Sequence, residues 1–166
     1  YSAYVSSIFP DSKVKDIVYH GVTKGKEIYF SILENGFDFK SKRNWDSKNS
    51  KFTEDDNTGM FFSDFATAQE YGGDFIPNPD PEIAKNPEHP NFLIDNSSII
   101  ASVLNIDFLD TTQQTSSKTA ANFYKKNKDK KNIGMFGIEG GSEGEQDNYV
   151  VFEPEQIHIL SSKADI

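Results

Sequence analysis

Three separated segments of the chain carry side chains whose types and spacing could form one pocket. Asp16 to Gly21 is a short apolar run that ends in a histidine and a glycine, and Gly59 to Gly72 is rich in aromatic residues. Asn148 to Phe152 places an amide directly before an apolar run. An imidazole and an amide hydrogen-bond hydroxyl groups, and aromatic rings hold flat rings between them. We expect the three segments to meet at one site.

His20 in the first segment allows two interpretations. A histidine at the end of an apolar strand is commonly satisfied by a neighbouring carbonyl group, which is a purely structural role. The alternative is that its imidazole binds a ligand, with Gly21 allowing close approach because it has no side chain.

The second segment predicts a strand, a cap and a short helix. Ser63 or Asp64 can cap a helix that runs to Tyr71 and ends at the following glycines. This unit would bring the rings of Phe61 and Tyr71 to the same cleft, where they could enclose a flat ring. An amphipathic helix with core aromatics is the alternative. The order of this segment after His20, and the spacing of its aromatic residues, favour the interpretation in which Phe61 and Tyr71 line a cleft.

The order of these motifs resembles the ADP-ribosyltransferase superfamily, in the His-Tyr-Glu branch typified by diphtheria toxin and the poly(ADP-ribose) polymerases. His20 and Tyr71 stand in matching settings, and Asn148 occupies the position of the family's glutamate. The strand-turn-strand pattern of residues 149–160 is similar to bacterial and phage members, including domains of large polyvalent phage proteins. The resemblance covers roughly residues 15–162. It implies transfer of ADP-ribose from NAD to a macromolecular acceptor, a protein, with release of nicotinamide.

The resemblance also implies how NAD, as co-substrate, is held at the first segment. The His20 imidazole would bind a ribose hydroxyl, and the Gly21 backbone would bind the nicotinamide carboxamide. The family usually places Ser or Thr directly after His-Gly, whereas here Val22 precedes Thr23. Thr23 is therefore expected among the NAD-binding residues.

The second segment would supply the walls around nicotinamide. By the resemblance, Phe61 and Tyr71 enclose the ring. Ala68 stands where the polymerases have a serine that touches the carboxamide. The NAD-binding set implied by the family is therefore His20, Gly21, Thr23, Phe61, Ala68 and Tyr71.

The catalytic residues implied by the resemblance are His20, Tyr71, Asn148 and Gln146. The family's glutamate holds the ribose 2'-hydroxyl, and its charge stabilises an oxocarbenium-like transition state. Asn148 can accept that hydrogen bond but brings no charge. Gln146 stands where some transferases use Glu or Gln to orient the acceptor. Asp147 or Glu145 would supply a carboxylate if the register of the segment shifted.

Two other functions stay open on the same fold. Asn148 and Ala68 favour a catalytically silent module that binds NAD or contacts another protein. Hydrolysis of NAD, with water as the acceptor, is the second. A third interpretation of residues 139–160 is a solvated acidic hairpin with no role in a site.

The composition limits the classes of partner. A chain of 166 residues fits one domain, here residues 1–166, and the start at Tyr1 leads us to expect that it is part of a longer protein. Seventeen Lys and Arg against 26 Asp and Glu give a net charge of −9, which disfavours tight non-specific binding to nucleic acid or an anionic membrane.

With no cysteine, there is no disulfide framework. His89 and His158 lack partners at metal-ligand spacing. We expect a monomeric, soluble domain. The sequence leaves its location open, and action in a bacterial or host cytoplasm after secretion or phage injection is one alternative.

Hydrophobic periodicity and turn residues predict the remaining elements. Predicted strands cover residues 17–20, 102–108, 134–138, 149–152 and 157–160. Predicted helices cover residues 25–35, 64–71 and 118–126, and predicted loops cover 40–58, 77–90 and 139–147. The pattern predicts an α+β, ADP-ribosyltransferase-like domain of two packed, mainly antiparallel β-sheets with short flanking helices.

Overall fold

A computed structural model describes residues 2–22, 26–39, 57–73, 75–77, 80–95, 98–111, 114–141 and 144–160. Its helices are α1 (Ser2–Ile8), α2 (Lys26–Asn35), α3 (Phe65–Gly72), α4 (Pro81–Ala84) and α5 (Ser117–Asn127). Its strands are β1 (Val18–Gly21), β2 (Met60–Phe62), β3 (Phe75–Pro77), β4 (Leu93–Asp95), β5 (Ile99–Leu104), β6 (Phe108–Thr111), β7 (Ile133–Gly141), β8 (Gly144–Val151) and β9 (Ile157–Ile159).

Two sheets form the body of the described fold. The first has the order β1-β5-β9 and the second the order β2-β8-β7-β6, while β3 and β4 form a separate two-stranded ribbon. All strand pairs are antiparallel except β6 with β7. The fold is therefore mixed α and β, with two mainly antiparallel sheets and a few short helices, as the sequence predicted at that level. In the described part of the chain, no helix is long and apolar enough to cross a membrane.

Two apolar clusters define the layers. The first lies between the sheets, where Val18, Ile100 and Leu104 of one sheet pack with Phe62 and Val151 of the other. The second lies on the outer face of the larger sheet under α5, and its members are Ala120, Phe123, Ile133, Met135, Val150 and Phe152. The larger sheet is thus buried on both faces, which explains why residues 149–152 are apolar without alternation.

Capping side chains fix where the two most regular predicted helices begin. Asp64 accepts a hydrogen bond from the Thr67 N–H at 2.8 Å and starts α3. Ser116 and Thr119 form a reciprocal capping box that starts α5. The predicted helices over 25–35, 64–71 and 118–126 are each confirmed to within one residue at either end.

The prediction of one strand over 102–108 was wrong. The chain leaves β5 after Leu104, and β6 begins at Phe108 in the other sheet. Ser12 explains the break, because its hydroxyl donates to the Leu104 carbonyl at 2.6 Å and accepts from the Ile106 N–H at 3.0 Å. The alternating apolar residues therefore belong to two sheets and the segment joining them.

The sequence predicted a mobile connection over the glycine-rich stretch 139–147, but its described residues, 139–141 and 144–147, belong to β7 and β8. The β7–β8 pairing continues without interruption to Gly141 opposite Gly144. Main-chain groups make this ladder, so glycine and acidic residues can extend it as long as the flanking strands hold the register. The helix α4 similarly lies within the predicted loop 77–90, because Pro81 occupies its first turn, where no N–H is needed. Residues 40–56 of the other predicted loop lie outside the described residues.

Gln156 joins three parts of the fold at one buried point. Its Oε1 accepts from the N–H groups of Phe152 and Glu153 at 3.0 and 3.1 Å. Its Nε2 donates to the carbonyls of Asn105 and Ile133 at 3.0 and 2.9 Å. Gln156 is 1% exposed, so two buried and two part-buried main-chain hydrogen bonds depend on one amide.

Candidate functional site

The candidate site is a cavity of about 610 Å³ at the place where the two sheets separate. The strands β1 and β2 are joined by one backbone bridge, in which Tyr19 and Ser63 exchange two hydrogen bonds of 2.9 Å. Beyond this joint the strands diverge. The cavity opens there, and its walls include six of the residues singled out from the sequence: His20, Gly21, Phe61, Ala68, Tyr71 and Asn148.

His20 projects from β1 at the start of the opening. Its Nδ1 lies 2.8 Å from the carbonyl oxygen of Phe61, and because a carbonyl only accepts, Nδ1 carries the proton of this bond. In the neutral ring, Nε2 is then the accepting nitrogen. The rings of Phe37 and Phe62 contact the imidazole at centroid distances of 5.2 and 5.6 Å. The ring orientation is therefore fixed on two sides by packing and on a third by a hydrogen bond.

The His20 bond also explains the backbone at Gly21. In antiparallel pairing, the two strands exchange hydrogen bonds at every second residue, so continued pairing beyond Tyr19 and Ser63 would match Gly21 with Phe61. The described pairing stops instead, and the Phe61 carbonyl accepts from His20. The Gly21 N–H and C=O, which point away from β5, are consequently directed into the opening.

Gly21 has a second constraint on its other side. A Cβ added there would collide with the Ala68 carbonyl and lie 2.7 Å from the Gly72 nitrogen. A Cβ at Gly72 would lie 2.7 Å from the Gly21 Cα. Two glycines thus let α3 approach β1 closely, and this approach brings Ala68 and Tyr71 into the cavity wall.

Asn148 enters the cavity from β8. It is 4% exposed and pairs across the ladder with Gly137. Since side chains alternate along a strand, Asn148 shares its face with Gln146 and Val150, whereas Asp147 points to the opposite face and is exposed. The observed register therefore puts the amide, not the neighbouring carboxylate, on the cavity side. Glu145 lies two residues before Asp147 in the same strand.

Gln146 does not line the cavity but connects two elements at its edge. The Tyr71 hydroxyl donates to Gln146 Oε1 at 3.1 Å, and Gln146 Nε2 donates to Glu70 Oε2 at 2.6 Å. Because a carboxylate only accepts, Glu70 fixes which end of the Gln146 amide faces Tyr71. The Tyr71 side chain, which is 49% exposed, is held across the edge by this chain of bonds.

Sequence reasoning missed the wall that α2 and its following turn provide. Ile28 and Ile32 of α2, together with Phe37 and Asp38, line the cavity. The polar start of α5 adds Ser117. The spacing of Ile28 and Ile32 at four residues marked a shared helix face, but nothing local indicated which cavity that face would meet. Thr23 lies outside the described residues.

The lining is mostly uncharged. Among the described lining residues there is no lysine or arginine, and Asp38 contributes the carboxylate. Within the described part of the chain, no group of three or more His, Cys, Asp or Glu residues could hold a metal ion. The cavity combines aromatic and aliphatic walls with an imidazole and an amide, a lining suited to a neutral or cationic aromatic ring bearing hydroxyl groups.

Comparison with protein-family models finds no match for this chain, and comparison with curated proteins finds none either. The class that can be stated from the fold is a mixed α and β domain with a cavity lined by residues of both sheets and of α2, α3 and α5.

Proposed function

We propose that the chain is an NAD-dependent ADP-ribosyltransferase that transfers ADP-ribose to a macromolecular acceptor, a protein, and releases nicotinamide. The observation that carries this proposal is that His20, Gly21, Phe61, Tyr71 and Asn148 line one cavity. They come from three segments separated by up to 128 positions in the sequence. The ADP-ribosyltransferase-like fold is part of the same proposal.

The described geometry suits the nicotinamide half of NAD. The open N–H and C=O of Gly21 can pair with a carboxamide, which offers one donor group and one acceptor. The accepting Nε2 of His20 suits a ribose hydroxyl, because a hydroxyl can donate to it. Phe61 and Tyr71 provide the ring walls, and the absence of lysine and arginine from the described lining suits a cationic nicotinamide ring.

Asn148 sets the expected rate. Its amide can accept from the ribose 2'-hydroxyl, but it adds no negative charge where positive charge develops in the transition state. Loss of one such electrostatic contact typically lowers a rate by about 10²–10³-fold. We therefore propose a slow enzyme in which binding is largely intact.

A catalytically silent NAD-binding module is the second candidate. It is favoured by the β8 register, which leaves Asp147 exposed on the face opposite Asn148. Under this alternative NAD binds as proposed, but no nicotinamide is released above the uncatalysed rate.

Binding is tested by thermal unfolding with millimolar NAD or nicotinamide. A ligand that binds only the folded protein raises its melting temperature. Tyr71→Ala should remove the shift without unfolding the domain, because half of the side chain is exposed. Tyr4→Ala is the matched control, since Tyr4 is 48% exposed on α1 and does not line the cavity. No shift in the unaltered protein would contradict both candidates.

Nicotinamide release then separates the functions. Release that requires added cell lysate indicates a transferase, and equal release without lysate indicates NAD hydrolysis. A thermal shift with no release in either condition would leave the silent module.

A further inference from the structure

A dense group of lysines stands at the end of α5, away from the cavity wall. The group is Lys125, Lys126, Lys128, Lys130 and Lys131, and all five are exposed. With Asp129 between them, residues 125–131 carry +4, while the whole chain carries −9, so the rest carries −13. We call these five residues the lysine group. Positive charge is thus concentrated at one place on an otherwise acidic protein.

Local stability explains only part of the lysine group. Lys125 and Lys126 occupy the last turn of α5, where cations compensate the helix dipole. Lys128 and Lys131 lie beyond the helix, where this benefit falls away. Carboxylates lie near the group, including Asp129 within the segment and Asp107, which accepts from Asn132 Nδ2 at 2.7 Å. Residues 125–131 still carry a net charge of +4 with Asp129 counted.

Lys130 shows that the surface is organised around an aromatic ring. Its Nζ lies 3.7 Å from the centroid of the Phe108 ring and 3.0 Å from Asn127 Oδ1. The ring of Phe108 also lies nearly parallel to that of Phe123, with centroids 6.4 Å apart and the ring planes 11° apart. Neither partner of Lys130 neutralises its charge, so the ammonium group is held in place and remains a cation.

The same contacts argue against nucleic acid and membranes as the partner. Single-stranded nucleic acid is held by several exposed rings on which successive bases stack, whereas the lysine group has one ring beside it, Phe108, which is 39% exposed and has the Lys130 ammonium group over it. A duplex or a bilayer would extend past the group onto the acidic remainder. Repulsion between the acidic remainder and the negatively charged partner would oppose binding, because charges within about 8 Å of each other are only partly screened at physiological ionic strength. A short anionic segment avoids this cost.

We propose that the lysine group is a docking surface for an acidic segment of a partner protein. The carboxylates of such a segment can each pair with a separate lysine, because the lysine side chain is flexible and its ammonium group does not require the bidentate geometry of arginine. The helix α5 has 11 residues and is about 16 Å long, and Ser117 at its start lines the cavity. A partner docked at the far end of α5 therefore lies within reach of the cavity opening. The docking itself does not depend on the proposed NAD chemistry.

The test measures binding of a fluorescein-labelled octaglutamate peptide by fluorescence anisotropy, without NAD, at 50 and 150 mM salt. The triple substitution Lys126→Gln, Lys128→Gln, Lys131→Gln should weaken binding by about tenfold at 50 mM salt, since each exposed pair contributes modestly. The matched control is Lys13→Gln, Lys26→Gln, Lys85→Gln, which removes the same charge from exposed lysines elsewhere. The control should change affinity by less than about twofold.

Several results would overturn the proposal. One is equal weakening by both triple variants, and another is no peptide binding at 50 mM salt. Tighter binding of a DNA duplex or of phosphatidylserine vesicles would assign a different class of partner. Dimerisation of the unaltered protein that the first triple variant abolishes would assign the surface to a second copy of this chain. Thermal unfolding of both triple variants confirms that they remain folded.

Discussion

Under the proposed transferase function, Asn148 is the residue expected to set the rate of the reaction. It is buried, lies on the cavity face of β8 and replaces a charged group of the family that the sequence resembles. Its role as a ligand for NAD stays a prediction. The register around it is a structural observation, and this observation makes the next experiment specific.

Asn148→Glu should raise nicotinamide release by about one to a few orders of magnitude, because it returns negative charge to the cavity wall. Asn148→Gln is the matched control, since it has the same size without the charge. NAD affinity, measured by the thermal shift, should change little, because the charge acts mainly in the transition state.

Two other outcomes would change the interpretation of Asn148. If Asn148→Glu gives no gain and Asp147→Asn removes activity, the functional register of β8 differs from the one described. If all three variants release nicotinamide at the background rate while NAD binds, the transferase proposal fails.

The side chains around the cavity were predictable to different degrees. His20 could be identified from its place at a strand end. Its Nδ1 bonds a carbonyl, as the structural interpretation expects, and its ring lines the cavity, but its role as a ligand-binding group stays a prediction. The Tyr71–Gln146 bond joins residues 75 positions apart. No local pattern indicates such a contact, since it depends on how α3 and β8 are brought together.

Gln156 shows how one side chain can hold several elements. It links the segment after β5, the start of β7 and the end of β8 through four hydrogen bonds. The sequence did not single it out, because a buried glutamine cannot be told from an exposed one by its neighbours alone.

Gln156→Leu should destabilise the domain by about 2–4 kcal/mol, because two buried and two part-buried main-chain groups lose their partner at once. Gln114→Leu makes the same exchange at an exposed position and should cost less than about 0.5 kcal/mol. Urea unfolding followed by circular dichroism measures both. Similar losses in the two variants would show that the four bonds contribute little.

The boundaries of helices and strands were predicted correctly where capping residues marked them. The predictions were wrong where pairing with another strand determines the boundary. Asp64 and Ser116 marked the starts of α3 and α5. By contrast, the glycine-rich part of the β7–β8 hairpin contradicted strand propensity, and α1, β3, β4 and β6 were not predicted. These strands have three or four residues each, too few for a periodic pattern to be distinguished.

At the scale of the whole molecule, electrostatics couple distant segments. Tyr149 faces Asp16 from the N-terminal segment and Asp147 from its own strand. Burial, and then these two carboxylates, raise the pKa of the Tyr149 phenol above its ordinary value of 10.0. The folded state therefore favours the neutral phenol more than the unfolded state does.

This pKa shift gives a pH dependence of stability. The contribution is fully present below pH 10, the unfolded value, and is lost as pH rises above it towards the folded pKa. Tyr149→Phe should therefore reduce the loss of unfolding free energy between about pH 9 and 11. Urea unfolding across that range measures it, with Tyr4→Phe as the exposed control. Parallel curves for the unaltered protein and Tyr149→Phe would contradict the expectation.

The layered arrangement of the whole domain was predictable as a class but not in its connections. Short apolar runs with few helices indicated two packed sheets. The order of strands, the parallel contact of β6 with β7 and the place where the sheets separate depend on long-range packing that single segments do not encode.

The joint between Tyr19 and Ser63 has a consequence for how the domain could evolve. It is the described backbone bridge between the two sheets, and the apolar cluster around Phe62 and Ile100 fills the space beside it. The angle between the sheets, and with it the width of the cavity, therefore depends in part on the volume of side chains such as Phe62 and Ile100, which do not line the cavity. Selection for a wider or narrower ligand could act on these interior positions and leave the polar groups of the cavity unchanged.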